Sequence, residues 1–231
     1  MKSRNNSEIV IWSSDIAYGI GLVVSDGNLS KDGRHICFKS ADLELINNFK
    51  QAFCITNHVG KSARGGETEK RYYYTQFSNI KLYNYLNIIG ITPNKSKTIK
   101  KVDIPEEYFH DFLRGVFDGD GTFYTFWDKR WVQSFGFQIS FASASLYFIS
   151  WLKEMLHQLY NVNDFIRQGD GVYNLRYVKG DSRTLFAKMY NTSRSLFLRR
   201  KHDKIRGALS FDDTLKRKRN LKLNDAAVAQ W

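Results

Sequence analysis

A chain of 231 residues with 42% hydrophobic side chains can bury the core of one large domain or two small packed ones, which excludes a disordered polymer. Its 35 Lys and Arg against 23 Asp and Glu leave a net charge of +12, which points to a polyanionic partner and above all to nucleic acid. The longest near-apolar stretch, Ile16 to Val24, is half a membrane span, and Met1 to Asn6 leads into no secretory h-region, so no membrane and an intracellular, non-secreted location are expected.

In chain order, a first helix is predicted at about Ser14 to Ser25, closed by Gly27. A hairpin follows, and then a helix over Ala41 to Phe53 with Leu45, Phe49 and Phe53 at helical spacing. A strand pair is read at Val59 to Ala63 with Arg71 to Phe77. The basic stretch Thr92 to Lys101 reads as a connector, and Pro105 suits the first turn of a helix over Glu106 to Gly119. Strands Thr122 to Trp127 and Trp131 to Phe141 flank a polar turn at Asp128, Lys129 and Arg130. Along the second of them Phe135, Phe137, Ile139 and Phe141 alternate with Ser134, Gly136, Gln138 and Ser140, so one face packs and the other is free. A helix over Ser145 to Tyr160 and a strand pair at Phe165 to Gln168 with Val172 to Val178 complete the pattern. From Arg199 to Lys222 ten basic residues against three acidic ones leave +7, read as a phosphate contact or, for Lys216 to Arg219, a solvated basic tail.

This order is a repeat. Gly19 to Gly27 (GIGLVVSDG) returns as Leu113 to Gly121 (LRGVFDGDG), with the Asp-Gly steps 94 positions apart, and Ile36 to Lys50 parallels Ile139 to Lys153 without a gap. The division is residues 1–100 for the first copy and 101–231 for the second with its basic tail. Spacing from the Asp to the second matched block grows from 14 residues (Asp26 to Ser40) to 23 (Asp120 to Ser143), so the second copy has the longer hairpin.

Gly21 and Ser25 lie four apart, as do Gly115 and Gly119, and small residues at that spacing let two helix backbones touch. Asp26 and Asp120 then emerge side by side at two helix C-termini, where the dipole disfavours anions. A divalent cation removes the conflict. Magnesium suits two carboxylates plus waters and phosphate oxygens, and metal-assisted phosphodiester hydrolysis follows, one carboxylate per strand of a duplex. Cys37 and Cys54 have no CxxC spacing, and the five histidines form no HxxxH pair, so zinc and disulfides are not expected.

Gly19 to Gly27 and Leu113 to Gly121 resemble the two motifs of single-chain LAGLIDADG homing endonucleases, over about Ile11 to Arg206. The runs Gly90 to Ser96 and Leu198 to Lys204 add to the likeness, while Val24 departs from the motif by replacing a non-catalytic acid. The resemblance implies an α+β, duplicated αββαββα fold whose two antiparallel sheets form a saddle on the DNA major groove, with a pseudo-two-fold axis through the motif helices. It implies Mg2+, with Mn2+ or Ca2+ able to occupy the site, held by Asp26 and Asp120 with the carbonyls of Ser25 and Gly119. A basic residue near the centre comes from Lys39, Lys95, Lys97 or Lys201. The base-reading candidates are His35, Lys39, Tyr72, Tyr74, Gln76, Ser134, Gln138, Asn174 and Arg176, with Gln suited to adenine and Arg to guanine. Phosphate anchoring falls to Lys61, Arg64, Lys129, Arg130 and Arg167.

The activity implied is site-specific double-strand cleavage of a long DNA target, leaving short 3′ overhangs, by a monomer. The rivals are an RNA maturase acting on host intron RNA and a non-catalytic DNA-binding regulator on the same fold. No intein splicing blocks occur, so a free-standing or intron-encoded protein of bacterial or archaeal cytoplasm or an organellar matrix is expected.

Overall fold

Each half of the chain builds one four-stranded antiparallel sheet and the helices that cover it, in a computed structural model that describes residues 11–63, 68–131, 134–191 and 195–228, the last with side chains through residue 217. The first half runs α1 (Ser14–Ser25), β1 (Gly27–Leu29), β2 (His35–Ser40), α2 (Leu43–Ala52), β3 (Gly60–Ser62), β4 (Tyr72–Ser78) and α3 (Ile80–Ile88). The second repeats this order with α4 (Phe109–Asp120), β5 (Thr122–Trp127), β6 (Phe135–Ser143), α5 (Leu146–Tyr160), β7 (Phe165–Gln168), β8 (Tyr173–Val178) and α6 (Lys179–Met189), then adds α7 (Arg199–Val228). The strand orders, β1-β2-β4-β3 and β5-β6-β8-β7, are the same. The duplicated αββαββα architecture is therefore as the sequence predicts. No described helix is long and apolar enough to cross a membrane.

Local chemistry starts these elements where the sequence changes character. Ser13 caps α1 by accepting the Ile16 N–H at 3.2 Å, and Asn79 caps α3 by accepting the Leu82 N–H at 3.0 Å. Ser145 does the same for Phe148 at the start of α5, and donates its own hydroxyl to the Ile99 carbonyl at 2.5 Å. On one side the sheets pack through rings: Phe38 stacks on Phe49 of α2 with centroids 4.6 Å apart, and Phe141 meets Phe117 of α4 edge-on at 5.8 Å.

Some expected boundaries move. The segment Glu106–Tyr108 is a short 3-10 turn and α4 begins at Phe109, carrying Asp120 as its last residue. The connector Thr92 to Lys101 is not an open linker, since it contains a 3-10 turn, Lys95–Lys97, whose first residue is buried. The basic run after Arg199 continues as helix through Val228, with Lys216 and Arg217 exposed. Its middle turns are anchored by the buried Asp212 carboxylate, which takes Lys179, Arg183 and Lys216, and by Phe211 packed on Trp127 and Phe135. Gly27 and Gly121 are required for a reason other than a left-handed helix exit. Gly121 has φ −74 and ψ 150, and a Cβ there would lie 2.5 Å from the Phe117 carbonyl oxygen; on Gly27 it would lie 2.8 Å from that of Val23.

At the centre, α1 and α4 touch backbone to backbone. A Cβ on Gly21 would fall 2.2 Å from the Phe112 carbonyl oxygen, and one on Gly115 would fall 2.1 Å from that of Tyr18. On Gly119 it would meet the Ser25 Oγ at 1.9 Å. Gly115→Ala is expected to destabilise the fold by about 2–3 kcal/mol, because two backbones and not a flexible side chain must separate. Gly207→Ala, in open space on exposed α7, is expected to stabilise by about 0.5–1 kcal/mol. Urea midpoints measure both; a Gly115→Ala variant as stable as the parent would show that the helices do not meet here.

Candidate active site and nucleic-acid interface

The helix contact decides where the two acidic residues go. Asp26 follows α1 directly and Asp120 ends α4, and Gly119, the last small residue of the contact, stands so near that a Cβ there would be 3.5 Å from an Asp26 carboxylate oxygen. Among the described residues, no side chain forms an ion pair or hydrogen bond with either carboxylate. Both side chains keep an exposed surface, yet the carboxyl groups lose hydration to the protein around them. This desolvation raises both pKa values, and the Asp26 charge adds to it at Asp120, which is pushed up to about 6.

Two lysines oppose that rise. Lys95, 6% exposed, donates to the Gly27 carbonyl at 2.5 Å, just beyond Asp26. Lys201 lies within 3.1 Å of four carbonyl oxygens, those of Phe117, Asp118, Gly119 and Gly121, more acceptors than its three protons. It thereby caps the C-terminus of α4, the place where a cation is most stabilising and where Asp120 alone would be least so. Lys95 and Lys201 occupy matching places after the two Asp-Gly steps. Burial lowers the pKa of each to about 8, offset in part by the neighbouring carboxylates.

Of the four lysines expected near the centre, these two are there. Lys97 is exposed on the same turn as Lys95 and is not among the charges that act on either carboxylate. Lys39 lies in the first sheet, where its ammonium donates to the Ala63 carbonyl at 2.8 Å and sits 4.9 Å above the Tyr72 ring. Of the two carbonyls the motif implies, those of Ser25 and Gly119, that of Gly119 accepts from Lys201 at 3.1 Å.

A buried network behind α4 fixes Lys201. Asp118 accepts hydrogen bonds from the Tyr18 hydroxyl at 2.8 Å, the Leu198 N–H at 2.7 Å and the Tyr190 hydroxyl at 3.3 Å. One turn away, the fully buried Arg114 donates to the carbonyls of Leu196 and Met189 and to the Asp111 carboxylate. Asn48 of α2 donates to the Phe197 carbonyl at 2.9 Å. These bonds hold the segment that delivers Lys201. Asp118 of the second motif is thus a structural hub, and Val24, at the matching position of the first, is buried among apolar neighbours instead. Arg200 and Lys204 were not foreseen here; they line a cleft of about 400 Å³ with Asp120 and Lys201. Their place in the Leu198 to Lys204 run beside Lys201 was the available signal.

The sheet faces away from the helices carry the expected readers. Register places Cys37 opposite Gln76, Lys39 opposite Tyr74 and His35 opposite Ser78, so His35, Lys39, Tyr72, Tyr74 and Gln76 share one face, opposite the buried Ile36, Phe38 and Phe77. In the second sheet Ser140 pairs with Arg176, and Arg167 pairs with Asn174, so Gln138, Asn174, Arg176 and Arg167 share the corresponding face. Ser134 continues the parity of Gln138 just before β6. Lys129 and Arg130 are exposed at the β5–β6 turn. Lys61, expected at phosphate, is exposed; it pairs with Tyr73 and its ammonium lies 5.4 Å from that ring, on the opposite face from Tyr72 and Tyr74. In a three-residue strand too few positions alternate for the sequence to show parity. Arg64 lies outside the described residues.

Residues 109–191 match the family model of a LAGLIDADG-like domain. No curated protein sequence matches the chain. Among solved structures, the fold is similar to the LAGLIDADG meganuclease I-AabMI bound to uncleaved DNA (TM-score 0.60, 12% identity, 88% of this chain and 92% of that one). It is also similar to the homing endonuclease I-LtrWI bound to target DNA (TM-score 0.59, 11% identity, 89% and 91%). A third similar structure is full-length DUF199/WhiA from Thermatoga maritima (TM-score 0.56, 14% identity, 97% and 70%). The chain therefore has the duplicated LAGLIDADG fold, and its second copy carries a LAGLIDADG-like domain.

Proposed function

We propose that the chain is a site-specific, divalent-metal-dependent DNA endonuclease that acts as a monomer, cutting one phosphodiester in each strand of a long duplex and leaving short 3′ overhangs. One observation carries this reading: two carboxylates brought together by a backbone-close helix contact, unpaired by any described side chain, and flanked by a lysine on each side. The DNA complexes of I-AabMI and I-LtrWI, on the same fold, support duplex DNA as the partner.

The donor set fits a hard cation. Among the described residues no third His, Cys, Asp or Glu joins the pair, which suits an ion that keeps waters and takes substrate phosphate oxygens, as magnesium does and zinc does not. Asp26 and Asp120, with the Ser25 and Gly119 carbonyls, would hold it. When bound, the ion supplies water activation and charge neutralisation at the scissile phosphate. The chain supplies the rest. Lys95 spends one N–H on the Gly27 carbonyl and has two protons left to orient solvent, whereas Lys201 is committed to carbonyls and contributes chiefly its charge. The polar sheet faces hold base edges, and Lys129, Arg130 and Arg167 meet phosphates and set register. The two copies in one chain provide one acidic residue per strand without a second subunit.

A randomised duplex library treated with magnesium or with EDTA tests this, using the parent and the Asp26→Asn and Asp120→Asn variants. Magnesium-dependent cuts at one long site, with double-strand cleavage reduced at least 100-fold in both variants, are expected, on the scale of losing a principal electrostatic group. Selective binding without cutting would make the protein a regulator instead.

Stability should report the same crowding. Because the folded-state pKa of Asp120 is raised to about 6, its protonated form favours folding; that contribution is whole below about pH 4 and is lost as pH rises through about 6. In EDTA the melting temperature of the parent is expected to fall more steeply between these values than that of Asp120→Asn, which cannot ionise. Parallel slopes would show that Asp120 is not crowded.

A further inference from the structure

The second sheet places an apolar ring on the face where the first sheet carries polar and phenolic groups. Phe126, 39% exposed, pairs with Gly136 across the β5–β6 ladder. A Cβ on Gly136 would lie 2.6 Å from the Phe126 ring, so the glycine lets the ring lie over the sheet and the ring covers the glycine in return. Two residues along each strand, Tyr124 pairs with Gln138. The Tyr124 hydroxyl donates to Oε1 of Gln138 in a short hydrogen bond.

That bond changes what Gln138 can read. An adenine needs both ends of the amide, the oxygen for N6–H and the nitrogen for N7. With its oxygen held toward Tyr124, Gln138 is not free to present both amide ends to one adenine, and its N–H groups are the end left for a base, which points away from the adenine expectation. Cytosine presents an amino donor and is excluded. Guanine and thymine present acceptors, and of these only thymine adds a methyl group beside its O4. An amide N–H and an exposed phenyl ring on the same sheet face, one residue pair apart, match that pair of features.

We propose that Phe126 and Gln138, held by Gly136 and Tyr124, form a thymine-specific reading site in the DNA target, Gln138 donating to O4 and Phe126 contacting the 5-methyl group. This rests on the reading of the chain as a duplex-DNA-binding protein. The test uses the full chain in EDTA, where binding is measured without cutting. A duplex selected from a randomised pool is resynthesised with each thymine in turn replaced by deoxyuridine, which removes only the methyl. One replacement is expected to weaken binding about fourfold, the worth of a single buried methyl. Phe126→Ala should bind the thymine and uracil duplexes equally, and Tyr124→Phe, which frees the Gln138 oxygen, should raise acceptance of adenine at the same position. The proposal is overturned if the parent tolerates uracil at every thymine, a measurement that needs no variant to fold, or if Phe126→Ala keeps the discrimination. A selected site indifferent to uracil would sink the thymine site alone; no selective duplex binding at all would sink the DNA-binding reading with it.

Discussion

Everything at the centre of this molecule depends on two helices whose backbones come into contact. Gly21 and Gly115 face each other across α1 and α4 so closely that a methyl group on either would strike a carbonyl oxygen of the other helix. Tight approach is what brings Asp26 and Asp120 within each other's field, and a wider spacing set by ordinary side chains would separate them. The sheets then follow from chain direction. Each helix ends in an Asp-Gly step that folds straight into a first strand, so the two sheets spring from the same point as the two acids.

The contact creates an electrostatic conflict, and the protein answers it unequally in its two halves. Two carboxylates stand at two helix C-termini, the least favourable ends for anions. In the second half the conflict is met by Lys201, whose ammonium serves the free carbonyls of α4, and behind it Asp118 and Arg114 bind the segment that carries this lysine. In the first half Lys95 makes one such bond and Val24 fills with hydrocarbon the place that Asp118 occupies opposite. A motif position that reads in sequence as a lost acid is in structure a choice between a polar hub and apolar packing. The remaining strain, visible in the raised pKa of Asp120, is what a bound cation would relieve.

Much of this was legible in the residues. Period-two alternation in Phe135 to Phe141 placed Gln138 on the free face, and the same parity in β4 placed Tyr72, Tyr74 and Gln76 together. The small residues four apart foretold the helix contact. What escaped was set by partners distant in sequence. The capping by Lys201 of carbonyls 80 to 84 residues earlier depends on a buried network that no local pattern announces. Basic segments read as a connector in one place and a tail in the other, and only the fold shows Lys95 buried within the first and α7 helical through the second. Phe126 and Tyr124 were within reach, since alternation along β5 sets them on the face of Gln138.

The strap that ends the second copy has a consequence for how the two halves can diverge. Its residues Phe197, Arg199 and Arg200 bond to Asn48, Glu44 and Asp42, all in or next to α2 of the first copy, while Leu198 and Lys201 bond to α4. One short stretch is thus held by both halves at once, neighbouring residues answering to different copies. Neither half can drift freely, because a change on one side of the strap displaces groups that serve the other. The strap is thus a second seam beside the α1–α4 contact, and at it the two halves are unequal partners, one offering side chains of α2 and the other the end of α4.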